Sequence, residues 1–79
     1  MVRAYIFIEA TKARDRGVAE KISKLPGVKQ ADVVTGRFDV IALVEVEELG
    51  ALWETVDKIQ ALSAVVKTTT NLVVESGQK

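Results

Sequence analysis

The chain has 79 residues, its 11 Lys and Arg balance 11 Asp and Glu, and it contains neither cysteine nor histidine. The missing residues exclude disulfides, zinc sites built on Cys or His, haem attachment and any Ser/His or Cys/His catalytic pair. Zero net charge argues against a stand-alone nucleic-acid binder, which needs a basic excess to neutralise phosphates. The length suits one domain that buries about 60 % of its unfolded surface, or slightly more. A hydrophobic share of 48 % indicates a packed core rather than disorder. No apolar run reaches the roughly 18–20 residues of a membrane span. The start, Met1 to Tyr5, lacks the basic-then-apolar layout of a signal peptide. The expectation is a soluble cytoplasmic protein without a membrane partner.

Val2 to Ala10 alternates as a strand, with Val2, Ala4, Ile6 and Ile8 on a core face and Arg3, Tyr5, Phe7 and Glu9 on the other. Thr11 to Arg16 is a polar connection into a helix, with Thr11 or Asp15 expected as its N-cap. Val18, Ile22 and Leu25, with Ala19 beside them, give one apolar helix face, and Pro26-Gly27 ends it. Val28 to Thr35 is the second strand, and Gly36 sits where a tight hairpin needs positive φ. Asp39 to Val46 is apolar on both faces and predicts a central strand covered on both sides. Glu47 to Ile59 is the second helix. Its stripe is Leu49, Leu52, Trp53, Val56 and Ile59, with Glu47 and Glu48 near its start to complement the dipole. Val65 to Glu75 is the last strand, and 76–79 is a polar tail on a single domain spanning 1–75.

The order β-α-β-β-α-β is supported by an internal echo. Lys21-Ile22-x-x-Leu25-x-x-Val28 recurs as Lys58-Ile59-x-x-Leu62-x-x-Val65, 37 residues later. Two interleaved β-α-β halves make a ferredoxin-like α+β fold, and right-handed crossovers place both helices on one face of the sheet. The other face then carries Tyr5, Phe7 and one apolar set from the third strand. A monomer seldom exposes so large an apolar patch, so a homodimer packed sheet against sheet through Tyr5 and Phe7 is expected.

Gly36-Arg37-Phe38-Asp39 is the most informative tetrapeptide. As structure it is a hairpin turn. As chemistry it offers backbone N–H groups for a ligand carboxylate beside Asp39 for a ligand ammonium, and free amino acids carry both groups. Trp53 suits a core or interface anchor better than a ligand stack. Lys12, Arg14 and Arg16 suit a solvated connection. Glu45, Glu47 and Glu48 straddle a strand-to-helix junction, so their side chains diverge and do not suggest a cation site.

Leu25-Pro26-Gly27-Val28 before a strand, then Val34-Thr35-Gly36-Arg37-Phe38-Asp39, then Val65 entering a strand with Thr68-Thr69-Thr70, resembles the effector-binding (RAM) domain of Lrp/AsnC transcriptional regulators. The resemblance runs from about Arg3 to Glu75, with Ser63-Ala64 in place of the Pro-Gly common at the second turn. It implies a dimeric α/β barrel that binds an amino-acid effector between subunits, through Thr35, Gly36, Arg37, Phe38 and Asp39. Thr69 and Thr70 are a secondary addition, since consecutive threonines are also ordinary strand residues. It further implies homodimers that gather into a ring of four, an octamer. Regulators of this kind carry a helix-turn-helix before the domain. Here the chain begins at the first strand and is expected to act as a stand-alone module in the regulation of amino-acid metabolism, mixing with full-length regulators that share its interface. No cofactor, metal or catalytic residue is expected.

Other readings of this topology fit less well. A small dimeric α/β-barrel monooxygenase or isomerase generally wants a His or a buried acid as base. The ACT amino-acid-binding domain wants a Gly-rich turn after the first strand, and Ala10 to Asp15 has no Gly. An RNA-binding sheet face wants clustered aromatics flanked by cations, and only Tyr5 and Phe7 are present.

Overall fold

The computed structural model describes residues 1–11 and 13–77. Its elements are β1 (Val2–Ala10), α1 (Asp15–Ser23), β2 (Val28–Val33), β3 (Val40–Val46), α2 (Leu49–Gln60) and β4 (Val65–Leu72). All neighbours in the sheet are antiparallel, in the order β2-β3-β1-β4. This is the ferredoxin-like β-α-β-β-α-β arrangement expected from the sequence.

Strict alternation on β1 and β3 builds the core. Ala4, Ile6 and Ile8 stand opposite Val44, Ala42 and Val40, so Ile6 faces Ala42 and Ala4 faces Val44. Each large side chain meets a smaller one, and all six are fully buried. Val18, Ala19 and Ile22 of α1 and Leu52, Val56 and Ile59 of α2 close over this face. The helices form because these residues fall at helical spacing, and their burial against the sheet stabilises helices too short to persist alone.

The internal echo is a repeated turn. After α1, the Leu25 N–H donates to the Ile22 carbonyl and the Val28 N–H to the Leu25 carbonyl. After α2, the Leu62 N–H donates to the Ile59 carbonyl and the Val65 N–H to the Leu62 carbonyl. The backbones of the two copies differ in the sign of φ at the residue before the valine. Gly27 has φ +86°, whereas Ala64 has no positive φ, so the second turn does without the glycine. Both edge strands also skip a residue in their pairing, Lys29 on β2 and Val66 on β4. One buried hydroxyl ties the halves together. Thr55 on α2 approaches the Pro26 carbonyl at 3.1 Å and the Ala51 carbonyl, four residues back on its own helix, at 3.2 Å.

Several expectations need correction. The N-cap of α1 is Arg14, not Thr11 or Asp15, and no side chain caps it. The Thr11 carbonyl instead accepts from the Arg14 N–H, and Asp15 accepts from the Arg16 N–H inside the first turn. The second helix begins at Leu49, after Glu48 at its N-cap in extended backbone, so neither Glu47 nor Glu48 lies in its first turn. Leu49 and Trp53 are half exposed and do not belong to the core stripe; Thr55 takes the buried place. The strands are shorter than alternation suggested, because β2 leaves the ladder at Val33, β3 enters at Val40 and β4 ends at Leu72. Within the single chain β3 is covered by helices on one face only, and Ile41 and Leu43 stay half-buried on the other. Ser76 and Gly77 of the polar tail are exposed; Gln78, Lys79 and Lys12 lie outside the described residues.

The two positive-φ glycines should respond differently to alanine. A Cβ on Gly27 would lie 2.6 Å from Cγ1 of Val46, whereas one on Gly36 would meet nothing. Gly36→Ala should cost about 1 kcal/mol from left-handed strain alone. Gly27→Ala should cost more than ~2 kcal/mol, because the contact adds to the strain. Denaturant titration of both variants checks the ranking.

Candidate functional site

The β2–β3 connection is where backbone geometry concentrates. The Val34 N–H donates to the Asp39 carbonyl at 2.9 Å, closing a loop of Thr35, Gly36, Arg37 and Phe38. It is a wider loop than a two-residue hairpin, and Gly36 supplies its left-handed residue at φ +108°. Asp39 then fastens the loop to the neighbouring strand twice. Its N–H donates to the Ile8 carbonyl at 2.9 Å, and its Oδ2 accepts the Ala10 N–H at 2.8 Å. Ala10 lies beyond the last β1–β3 pair, Ile8 with Val40, so its N–H on that side has no ladder partner and is available to a side chain.

Phe38 adds a third attachment. Its ring meets Phe7 of β1 with centroids 5.1 Å apart and planes tilted by 47°. The Arg37 guanidinium carbon lies 5.8 Å from the Phe38 centroid, within cation–π range. Phe38 and Asp39 are therefore half-buried, whereas Thr35, Gly36 and Arg37 are exposed. Among the described residues, no acceptor engages the N–H groups of Thr35, Gly36, Arg37 or Phe38, and Asp39 Oδ1 has no donor. Arg37 has no carboxylate within ion-pair distance among the same residues. The turn thus presents donors and a cation beside a carboxylate with one oxygen unused.

The two threonines separate. Thr69 pairs with Phe7 and lies on the sheet face away from the helices; Thr70 pairs with Ile6 and lies on the helix-covered face. The turn and Thr69 therefore share a side of the sheet, and Thr70 does not join them.

Tyr5 and Phe7 occupy the middle of the uncovered face. Asp32, Ile41, Phe7 and Thr69 form one row across the four strands, and Gln30, Leu43, Tyr5 and Asn71 form the next. Tyr5 is 40 % exposed. Beyond them Arg3 Nε lies 3.0 Å from Glu45 Oε2, an ion pair without hydrogen-bond alignment, so Glu45 is engaged on the sheet and not at the α2 dipole. A depression of about 260 Å³ is lined by Tyr5, Gln30, Asp32, Ile41 and Leu43. Gln30 donates to Asp32 at 2.7 Å on its rim. Sequence reading passed over Gln30 and Asp32, because period-two alternation from Val28 puts both on the helix-covered face with it, and only the skipped Lys29 turns them to the open one.

The remaining singled-out groups lie apart. Trp53 stands 47 % exposed on the outer side of α2 and is no core anchor. Arg14 and Arg16 are exposed at the start of α1. No three His, Cys, Asp or Glu side chains among the described residues gather as a metal site. No helix among the described residues is long and apolar enough to cross a membrane.

Comparison with known proteins settles the family. The pattern of the Lrp/AsnC ligand binding domain matches residues 3–77. The chain belongs to that family. HTH-type transcriptional regulator LysM of Saccharolobus solfataricus is 25 % identical over 76 residues, 95 % of this chain and 54 % of the regulator. The Lrp/AsnC domain described here thus spans about half the length of that relative. Part of it, 58 residues or 73 % of the chain, is also 31 % identical to a segment making up 13 % of homocitrate synthase from Sulfurisphaera tokodaii. A crystal structure of TTHA0845 from Thermus thermophilus covers 100 % of both chains with a TM-score of 0.93 at 30 % identity.

Asp39 has a structural duty that can be measured without any ligand. Asp39→Ala leaves the Ala10 N–H without its acceptor and should lower stability by about 1–2 kcal/mol. Asp39→Asn keeps an oxygen at that position and should recover most of the loss. Chemical denaturation of the pair checks this.

Proposed function

We propose that this Lrp/AsnC domain is an effector module that binds an amino acid at the Gly36 turn and signals through its assembly. The observation that carries the reading is the chemistry of the turn. Four N–H groups and Arg37 suit a carboxylate, and the unused Oδ1 of Asp39, held in place through Oδ2, suits an ammonium. An amino acid supplies both charges on adjacent atoms. Thr69 can contribute from the same side of the sheet. In one chain Thr35, Gly36 and Arg37 are exposed, so the site is completed by a neighbouring subunit.

The same reading assigns the open face of the sheet to a homodimer. Its apolar centre of Tyr5, Phe7, Ile41 and Leu43 is uncovered in the single chain, and the flanking Asp32, Glu45 and Glu9 make it unattractive to a nucleic acid. Dimers then gather around the turns, up to a ring of four, and a full-length regulator with a like surface could take a place in it. A cytoplasmic role in regulating amino-acid metabolism follows. The likeness to both a transcriptional regulator and a short segment of a synthase supports a non-enzymatic module, since what the two share is a part and not a whole activity.

Native mass spectrometry with a panel of amino acids tests binding and assembly together, and a monomer or dimer without adducts would count against the reading. Asp39→Asn should weaken amino-acid binding by about tenfold to a hundredfold, at ~1.4 kcal/mol per decade, because a charge-assisted bond becomes a neutral one. Calorimetric titration measures this, and unchanged affinity would leave Asp39 a structural residue only. Phe7→Glu should bury an unpaired charge at the sheet contact, cost several kcal/mol, and give monomers in ultracentrifugation.

A further inference from the structure

The turn and the open sheet face are not independent surfaces. Of the four residues in the loop, Phe38 alone turns inward, and its partner there is Phe7. Phe7 lies in the row Asp32, Ile41, Phe7, Thr69, on the same face as Tyr5. On the loop side, the Arg37 guanidinium lies within cation–π range of the Phe38 ring. Three groups therefore stand in contact order: an exposed cation, a half-buried loop ring and a half-buried ring of the uncovered face.

The geometry points to Phe38 as the residue that couples ligand at the turn to closure of the sheet face by a second copy of this chain. The inference rests on the amino-acid reading of the turn and adds the route by which occupancy reaches the interface. A carboxylate drawing on Arg37 acts on a group already in contact with Phe38. The loop cannot absorb that change where it enters β3, because Asp39 is tied to β1 through both its N–H and its Oδ2. The freedom left lies in Thr35 to Phe38, and Phe38 alone of these contacts the interface. In the other direction, a second sheet packed over Phe7 limits the positions its ring can take and so fixes Phe38. Coupling of this kind is reciprocal: whatever ligand does for the dimer, the dimer does for the ligand. Its size is bounded by the worth of an aromatic pair, about twofold to tenfold in either equilibrium.

Subunit exchange between donor-labelled and acceptor-labelled chains, followed by energy transfer, reads the coupling even if the dimer is too tight to dilute apart. The probe is a mixture of the twenty standard amino acids, with calorimetry on the same samples. In the unaltered chain the mixture should give binding heat and slow exchange about threefold to tenfold. Phe38→Leu keeps an apolar side chain and removes the ring. It keeps the Phe38 N–H and should still dimerise, and at concentrations where calorimetry shows the variant saturated, whatever its affinity, its exchange rate should no longer respond to the mixture. Phe38→Tyr, which restores the ring, should restore the response. An equal slowing in Phe38→Leu overturns the role of Phe38, as does binding heat in the unaltered chain with no change in exchange. Absence of binding heat in the unaltered chain overturns the amino-acid reading itself and the coupling with it.

Discussion

Two helices on one side of a four-stranded sheet leave the other side without a layer, and the remaining features of this molecule follow from that constraint. The helix-covered side could be filled with Ile, Val, Leu and Ala because nothing there has to meet water. The other side mixes Tyr5, Phe7, Ile41 and Leu43 with Arg3, Glu45, Asp32 and Asn71. That composition resembles a contact surface, with an apolar centre and a charged margin, more than a solvated face. Under the proposed homodimer, association would bury the face that folding leaves open.

In the proposed reading, Asp39 serves architecture and recognition without conflict. A carboxylate has two oxygens, and the fold uses one. Bonding Oδ2 to the Ala10 N–H removes rotational freedom from the group, so the other oxygen points in a set direction before any ligand arrives. Preorganisation of this kind reduces the ordering cost of binding. The same bond satisfies a strand N–H left over where β3 enters the sheet, beyond the last pair of Ile8 with Val40.

Much of this was legible from residue order. Val2 to Ala10 alternates well enough, although Tyr5 and Phe7 stand on its polar side, and its strand was placed to the residue. The repeated Ile-x-x-Leu-x-x-Val located both turns after the helices, because carbonyl and N–H spacing is fixed by the same three-residue steps. Strand ends were less visible, since Thr35, Val73 and Val74 have strand-like side chains and only the loss of a partner strand ends the pairing there. Trp53 misled for a related reason. It falls at helical spacing with Leu49 and Val56, but periodicity gives a stripe and not its width, and the outer edge of this stripe faces water. The attachment of Asp39 to Ala10 joins residues 29 apart in sequence, and no local pattern announces it.

The two skipped residues on the edge strands have a consequence of their own. Lys29 and Val66 are 37 positions apart, the period of the internal echo, so both exposed edges are bent at equivalent places. A bent edge is a poor template for another strand, and one of the two bends carries a lysine. Sheet-to-sheet pairing can bury the flat face, but ladder extension past β2 or β4 has only the runs beyond each bend to copy, Gln30 to Val33 and Lys67 to Leu72. A chain with an uncovered apolar sheet could nucleate open-ended fibrils; blunted borders oppose that route, and under the proposed face-to-face pairing they favour closed assemblies with a countable number of subunits.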